Sequence, residues 1–479
     1  QTNLYYHQWI ARVVLQDMPH QRPWKDLTVS ELKVWIGILL HNALHPYPSI
    51  SLYWSSDPNF ASEIVKKTMS LVRFEQIKRF IHLADSGQQP KRGAANYDVL
   101  YKLRPWLAGL LTNSQEMFVP GKCVSVDEID ISFKGRSAFK SRVKFKRAGD
   151  GFLAYALCDP VTGYTYSYQF QFDNKVATTP GLSKTFSAVY QLMRQLPGDG
   201  YHVFVDNLYS SCLLAEKLLE DNKLYTCTAR SDRIPDCVKQ TVRRGQGAEE
   251  ARGTVKWACR RNVVALTVYD NKPVPMITTG HHKLEDVVYT RKRTRINLDT
   301  GLPHTEDVEL KKLNVIHDYN SNMNGVDMAD QLRGYYSCSI KSLKWWHSIL
   351  FWIIDTAVCN AYIIHREGMK GHATALPTQS HLQFVSSLAT KLLQAECQAK
   401  ERASSSGRKR RRSSDAVANR PAERLLGKHL IWSIQESTAA TPQRDCVLCK
   451  EQGKRARSNY ECGTCDVGLH PGCFEGWHQ

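Results

Sequence analysis

The chain has 479 residues, 42% of them hydrophobic and 23% charged, a balance that supports buried cores and excludes a fully disordered protein. At roughly 150 residues per domain, the length fits about three domains. Lys and Arg number 64 against 46 Asp and Glu, a formal charge of +18, which suits a polyanionic partner such as nucleic acid or an anionic membrane. Charge alone is also consistent with a solvated basic surface.

In chain order, residues 1–121 read as mainly helical, because Leu32 to Leu40 and Phe74 to Ile81 mix apolar and polar residues at helical spacing. Trp9, Trp24, Trp35, Trp54 and Trp106 are expected in the core. The texture changes at Val119. Val124, Val126, Ile129, Ile131 and Phe133 read as extended chain. Gly151 to Asp159 and Tyr164 to Phe172 read as two strands, joined by the turn Asp159-Pro160-Val161-Thr162-Gly163. A strand Tyr201 to Val205, an amphipathic helix Ser210 to Asp221 and a strand Leu224 to Thr228 follow, with Leu213, Leu214 and Leu218 expected on one helical face. Strands with crossover helices indicate an α/β core, whose first part spans residues 122–230.

Residues 231–314 are polar and basic, with strand-like runs at Val263 to Tyr269 and Val274 to Thr278, and read as an insertion. Residues 315–336 return to the core with a helix at Gly325 to Tyr336. Residues 337–400 contain an apolar helix, Ser342 to Arg366. Its most apolar run, Ile349 to Ile364, includes Asp355 and Asn360 and is shorter than the ~20 residues a bilayer requires, so a buried helix is expected and no membrane partner. No secretory signal is visible, and a start at Gln1 rather than Met implies an upstream segment. Residues 401–425 form a basic linker with eight Lys and Arg against three acids. Its run Arg408, Lys409, Arg410, Arg411, Arg412 reads as a nuclear localisation signal, a tether that touches DNA, or both.

Residues 426–479 hold the clearest chemical signal. Nine of the 14 cysteines are scattered singly, but five lie in the last 34 residues, which argues for a metal site rather than a disulfide framework. The pattern is Cys446-x2-Cys449, Cys462-x2-Cys465, His470-x2-Cys473 and His478. A Cys-x2-Cys knuckle presents two thiolates to one tetrahedral ion. Two knuckles and a His-x2-Cys pair exceed the needs of one Zn2+, so two Zn2+ are expected, with His429 the nearest candidate for an eighth ligand. By analogy with cross-brace folds, the first knuckle pairs with His470 and Cys473, which leaves the second with His478 and His429. Zinc then supplies folding energy that so small a segment cannot obtain from apolar burial. Its six basic and six acidic residues cancel.

Three aspartates sit where chemistry is commonly mounted. Asp127 lies on a strand, Asp206 ends an apolar strand, and Asp327 opens a helix on which Asp330 shares its face. Carboxylates are hard ligands that suit Mg2+ or Mn2+, and two such ions can activate water and stabilise a leaving 3′ oxygen. The plain alternative is strand-end acids and a helix cap. Ile131 to Gly149 adds Lys134, Arg136, Lys140, Arg142, Lys144, Lys146 and Arg147 with no acid, a candidate phosphate grip beside Asp127.

At these residues the sequence resembles the piggyBac family of DNA transposases. Asp127-Glu128 with Phe133-Lys134-Gly135-Arg136-Ser137 resembles the segment around the family's first catalytic Asp. Val205-Asp206-Asn207-Leu208-Tyr209-Ser210-Ser211 resembles the second, and Asn324-Gly325-Val326-Asp327-Met328-Ala329-Asp330-Gln331 the third. The cysteine-rich tail completes four motifs in family order.

The resemblance implies an α/β RNase H-like core with an Asp127, Asp206, Asp327 triad and Asp330 as a further active-site carboxylate. It implies a helical dimerisation and DNA-binding domain in two parts, residues 1–121 and 337–400. Trp345 matches a family tryptophan that contacts DNA, although a core aromatic fits the sequence as well. The family enzyme works as a homodimer on the inverted repeats of double-stranded transposon DNA, forms hairpin ends and joins them at TTAA. A nuclear enzyme of that kind is the expected function. A domesticated, catalytically silent DNA- or chromatin-binding protein is the alternative, since an intact triad does not guarantee mobility.

Overall fold

A computed structural model describes residues 1–14, 23–142, 150–239, 253–270, 272–296, 301–370, 379–394, 431–433, 444–462 and 467–478. The chain divides into two compact units, Gln1–Leu393 and Gln394–Gln479.

Unit 1 opens with helices α1 (Thr2–Val14), α2 (Val29–Leu44), α3 (Glu63–Thr68), α4 (Leu71–Phe80) and α5 (Arg104–Met117). Thr28 starts α2 through a capping box with Glu31, and Arg73 of α4 binds the same Glu31 at 3.0 Å. Next come β1 (Cys123–Ser132), β2 (Ser141–Arg142), β3 (Asp150–Cys158), β4 (Thr165–Phe170), α6 (Lys184–Met193), β5 (His202–Val205), α7 (Cys212–Glu220) and β6 (Leu224–Thr228). The segment expected to be an insertion supplies β7 (Val255–Arg260), β8 (Val263–Tyr269), β9 (Pro273–Thr278), β10 (Asp286–Ile296) and β11 (Pro303–Leu313). Helices α8 (Asn314–Asn322), α9 (Gly325–Tyr335), α10 (Trp345–Lys370) and α11 (residues 381–394) close the unit.

Nine strands form one mixed sheet in the order β2-β3-β1-β5-β6-β9-β8-β7, with β4 also paired to β3. β1 is antiparallel to β3 but parallel to β5, and β5 is parallel to β6. β9 joins β6, so β7, β8 and β9 extend the central sheet, while β10 and β11 form a separate hairpin. Alternation divides the faces. Val124, Val126, Val203 and Val205 pack against α6 and α7. Ile129 and Ile131 face the opposite layer, where Val326 and Ala329 of α9 and the apolar side of α10 lie. Within α7, Leu214 and Leu218 are buried but Leu213 is 44% exposed, because successive helical residues diverge by ~100°.

The helical layer is assembled from distant parts of the chain. α2, α4 and α5 pack with α10 and α11 in one apolar cluster. At Gly37 a Cβ would stand 3.0 Å from Leu392 Cβ and Leu393 N, so α2 and α11 touch almost backbone to backbone. Trp35 is fully buried, and Trp24, Trp54 and Trp106 line the same cluster.

α10 runs three to four residues later than the Ser342 to Arg366 span expected from sequence. It has 26 residues and is apolar enough to cross a membrane by length and composition, yet 72% of its most apolar window is buried in the fold. Two of its buried polar residues, Asn360 and Asp355, are satisfied internally. Asn360 accepts from Thr165 N at 3.0 Å and donates to Thr165 O at 2.9 Å, filling the end of β4. Asp355 accepts from Ser337 Oγ at 2.8 Å and Cys338 N at 2.9 Å.

Gly325 sets the seat of α9. A Cβ there would overlap Ser125 Oγ and stand 3.0 Å from Pro160 Cα and 3.2 Å from the Asp159 carbonyl carbon. Gly325→Ala is therefore expected to destabilise unit 1 by ~1–3 kcal/mol, the usual cost of overpacking. Urea unfolding of the two proteins checks this; equal midpoints would mean that the seat is slack.

Candidate active site and metal centre

The parallel register of β1 and β5 pairs Val124 with Val203 and Ser125 with Phe204. Carried two residues beyond its last pair, the same offset matches Asp127 of β1 with Asp206, the residue that follows β5. Asp127 Oδ1 accepts from Glu128 N, and Asp206 Oδ1 from Leu208 N, both at 2.8 Å. The second bond caps a short helical turn, so Asp206 is fixed by the chain that follows it.

Burial pushes the Asp127 carboxyl up to about 8, reinforced by Glu128 and by the charge of Asp206. Asp206 is raised as well, by burial and then by Glu128, against the lowering bond from Leu208. Glu128 thus belongs to the cluster. Its buried Oε1 lies near the Tyr209 hydroxyl, which burial and the charges of Glu128 and Asp127 hold protonated. On α8, Tyr319 lies in the field of Asp206 and Asp127 and contacts Thr228 Oγ1 at 3.3 Å. Strand alternation would send Glu128 to the face opposite Asp127, so its pattern gave no reason to include it; adjacency to Asp127 was the only signal.

α9 brings the other two aspartates. Its first turn rests on Ser125, two residues before Asp127, and carries Asp327 exposed to solvent. Asp330 is one turn along and forms an ion pair with Arg333. Arg333 is itself 6% exposed, donates to Thr165 Oγ1 at 3.2 Å and stacks over Trp352. Burial raises the Asp330 pKa, Arg333 opposes the rise, and Asp327 and Asp130 add to it. Asp330, Arg333, Asp130, Ser337 and Asp355 line a cavity of about 410 Å³.

The structure thus places Asp127 with Asp206, and Asp327 with Asp330. Among the described residues, only a C-terminal group gathers three or more candidate ligand atoms within 4.8 Å of one another, so no three of these carboxylates come that close together.

The basic residues expected to grip phosphate divide. Lys134 and Arg136 are exposed, whereas Lys140 pairs with Asp150 at 2.8 Å. Arg142 lies on β2, and its side chain is outside the described residues, as are Lys144, Lys146, Arg147 and Arg408, Lys409 and Arg410. Trp345 is half-buried and packs edge-on against Phe139, with Phe152 and Phe172 beside it.

Unit 2 contains β12 (Ile431–Ser433), β13 (Arg444–Asp445), α12 (Val447–Glu451), β14 (Arg457–Ser458), β15 (Tyr460–Cys462), β16 (Val467–Gly468) and α13 (Pro471–His478). The atoms Cys446 Sγ, Cys449 Sγ, His470 Nδ1 and Cys473 Sγ all lie within 4.8 Å of one another. Cys449 Sγ is 3.5 Å from His470 Nδ1 and 3.7 Å from Cys473 Sγ. Two sulfurs ~2.3 Å from one tetrahedral ion stand about 3.8 Å apart, so the spacing fits zinc. His470 Nε2 is 3.0 Å from the Arg457 carbonyl, a bond that leaves Nδ1 free to ligate. Burial raises the Cys446 thiol, but bonds from the Cys449 and His470 backbone overcome it and the pKa falls to about 7. Cys462 is buried in the small core with Leu469 and Trp477. Cys465, His429 and the His478 side chain are outside the described residues.

Central strands thus bring the first two acids together, α9 carries two more, and unit 2 holds a Cys/His group. A family model described as Transposase IS4 matches residues 1–362. PiggyBac transposable element-derived protein 3 of Homo sapiens is 25% identical over 466 residues, covering 94% of this chain and 70% of that protein. PiggyBac transposable element-derived protein 5 of Homo sapiens is 20% identical over 409 residues, 83% of this chain and 72% of that protein. The chain spans 56% of the human PiggyBac transposable element-derived protein 2, at 23% identity. Among solved structures, the cryo-EM structure of a piggyBac transposase synaptic complex with hairpin DNA matches with a TM-score of 0.67 and 20% identity, over 98% of this chain and 94% of that one. The chain belongs to the piggyBac transposase family.

Two outcomes follow from the site. The unfolded Asp127 carboxyl ionises near 3.8 and the folded one near 8, so rising pH deprotonates the unfolded chain first and metal-free stability falls across that interval. Asp127→Asn removes the penalty. Its melting temperature is expected to exceed wild type by a few degrees at about pH 9, with the gap closing toward pH 4; a gap independent of pH would refute the assignment. In unit 2, Cys449→Ala is expected to lower bound zinc by one equivalent per chain, read by elemental mass spectrometry.

Proposed function

We propose that the chain is a divalent-metal-dependent DNA transposase whose catalytic carboxylates are Asp127, Asp206 and Asp327, on an RNase H-like core. The observation that carries this reading is the level placement of Asp127 and Asp206 on adjacent parallel strands, with α9 seated two residues away by Gly325. An antiparallel β1-β3-β4 meander continued by parallel β5 and β6 supports the core assignment.

The residues fit a hard cation. Every donor is an oxygen, and burial raises both Asp127 and Asp206 beside the acidic Glu128, a cluster of acids that a cation would neutralise. Asp127, Asp206 and Asp327 would hold the ion, with Glu128 next to them. When bound, a Mg2+ ion supplies charge for a developing oxyanion and acidifies a water. The chain's own part is to keep the carboxylates level, exclude water behind them with Val126 and Val205, and present Lys134 and Arg136 to a phosphate backbone. We extend the family course of reaction to this chain as part of the proposal: nicking, hairpin formation, and joining at TTAA by a homodimer. Zinc at Cys446, Cys449, His470 and Cys473, with a second ion at the remaining ligands, would fold the tail.

The human relatives are named as element-derived proteins, which favours one second reading, a host protein that binds DNA without cleaving it. Asp206→Asn separates the two. It is expected to reduce hairpin formation on cognate transposon ends to background while leaving duplex binding and melting behaviour in place. Wild-type cleavage by the variant would remove Asp206 from the triad. No excision by the unaltered chain in a plasmid assay, whatever the flanking ends, would favour the silent protein.

A further inference from the structure

The hairpin of β10 and β11 has no part in the carboxylate site. Its eleven pairs run in register from Asp286 opposite Leu313 to Ile296 opposite Pro303, a ribbon ~36 Å long at ~3.3 Å per residue. From Thr290 to Ile296 every β10 residue is exposed, and facing them on β11 only Glu306 and Val308 are half-buried. Both faces of the outer half therefore meet solvent. A two-stranded ribbon is marginally stable when no layer covers it, so a function outside the fold has to be sought.

Alternation puts Arg291, Arg293 and Arg295 on one face, opposite Val308, Glu306 and His304. Arg295 pairs with Glu306 at 2.8 Å; among the described residues, Arg291 and Arg293 have no ion pair. The three arginines span ~13 Å, a length over which one DNA strand presents a phosphate about every 3.4 Å of axis. The major groove, ~12 Å wide, admits a two-stranded ribbon.

The root of the ribbon is fixed to the catalytic face. β11 runs straight into α8. Asn314 donates through its N–H to Glu285 O and through Nδ2 to Lys283 O, both at 2.8 Å. Leu284 and Leu313 pack on the cluster that holds Phe204 and Tyr319. One helix thus joins the arm to the ring that lies in the field of Asp206 and Asp127.

We propose that the outer half of this ribbon is a docking arm for duplex DNA, with Arg291, Arg293 and Arg295 gripping phosphates of the duplex presented to the carboxylates. The inference rests on the DNA-transposase reading and adds a contact surface to it. The row of arginines favours a polyanion over a second protein chain.

The test titrates the full chain with a labelled random-sequence duplex across a salt series, read by fluorescence anisotropy. R291A/R293A/R295A is expected to lower the slope of log K against log salt by roughly 2–3, at ~0.9 for each phosphate no longer neutralised, and R291K/R293K/R295K to retain it. A triple-alanine variant with the wild-type slope overturns the arm and leaves the DNA reading standing. If the wild-type chain shows no salt-dependent binding, both fail together. If the alanine variant keeps its slope but sediments as a smaller species, the ribbon is a protein interface and the proposal is overturned.

Discussion

The parallel pairing of β1 with β5 is the constraint on which the site depends. It sets Asp127 level with Asp206, and the remaining features are responses to that placement. Burial first, then Glu128 and the charge of Asp206, disfavour the ionised form of Asp127, which keeps its proton far above the usual range. The fold sustains this because the reverse side of both strands is apolar and closed by α6 and α7. Local instability at the acids is thus offset by packing one layer behind them.

α9 distributes charge unevenly across the same site. The buried Arg333 binds Asp330 and ties it to β4 and α10, whereas Asp327, three residues earlier on the same face, is left exposed. Asp330 is compensated within the protein, so its negative charge is partly used in holding the helix. Asp327 is the acid left open to solvent. A single helical turn therefore carries one anchoring and one available carboxylate.

Much of this was legible in the sequence, for physical reasons. Strands β1, β3, β4, β5 and β6 follow from period-two alternation and turn residues, and α2, α4, α7, α9 and α10 from helical spacing. The zinc-type cluster was legible because Cys-x2-Cys spacing has few other uses, and Cys446, Cys449, His470 and Cys473 do converge. Other features depend on contacts that spacing does not encode. Glu128 joins Asp127 and Asp206 through side-chain reach rather than strand face. Lys140 is claimed by Asp150, the first residue of β3, ten positions away, a pairing that spacing does not encode. The polar composition of residues 231–314 suggested an insertion but not that β9 pairs with β6, which short apolar strands such as Val263 to Tyr269 make possible by extending the sheet.

The contact between Gly37 and Leu393 has a consequence for biosynthesis. The helical layer is opened by α2 and closed by α11, with the whole sheet threaded between them. During translation, the Gly37 side of α2 lacks its native neighbour until α11 has left the ribosome. The nascent chain must carry an uncovered apolar surface for most of its synthesis, a state that favours chaperone engagement and aggregation. Messages truncated anywhere before α11 would yield the same uncovered surface permanently, so shortened copies of this reading frame are expected to be cleared as misfolded protein rather than to persist as partial domains.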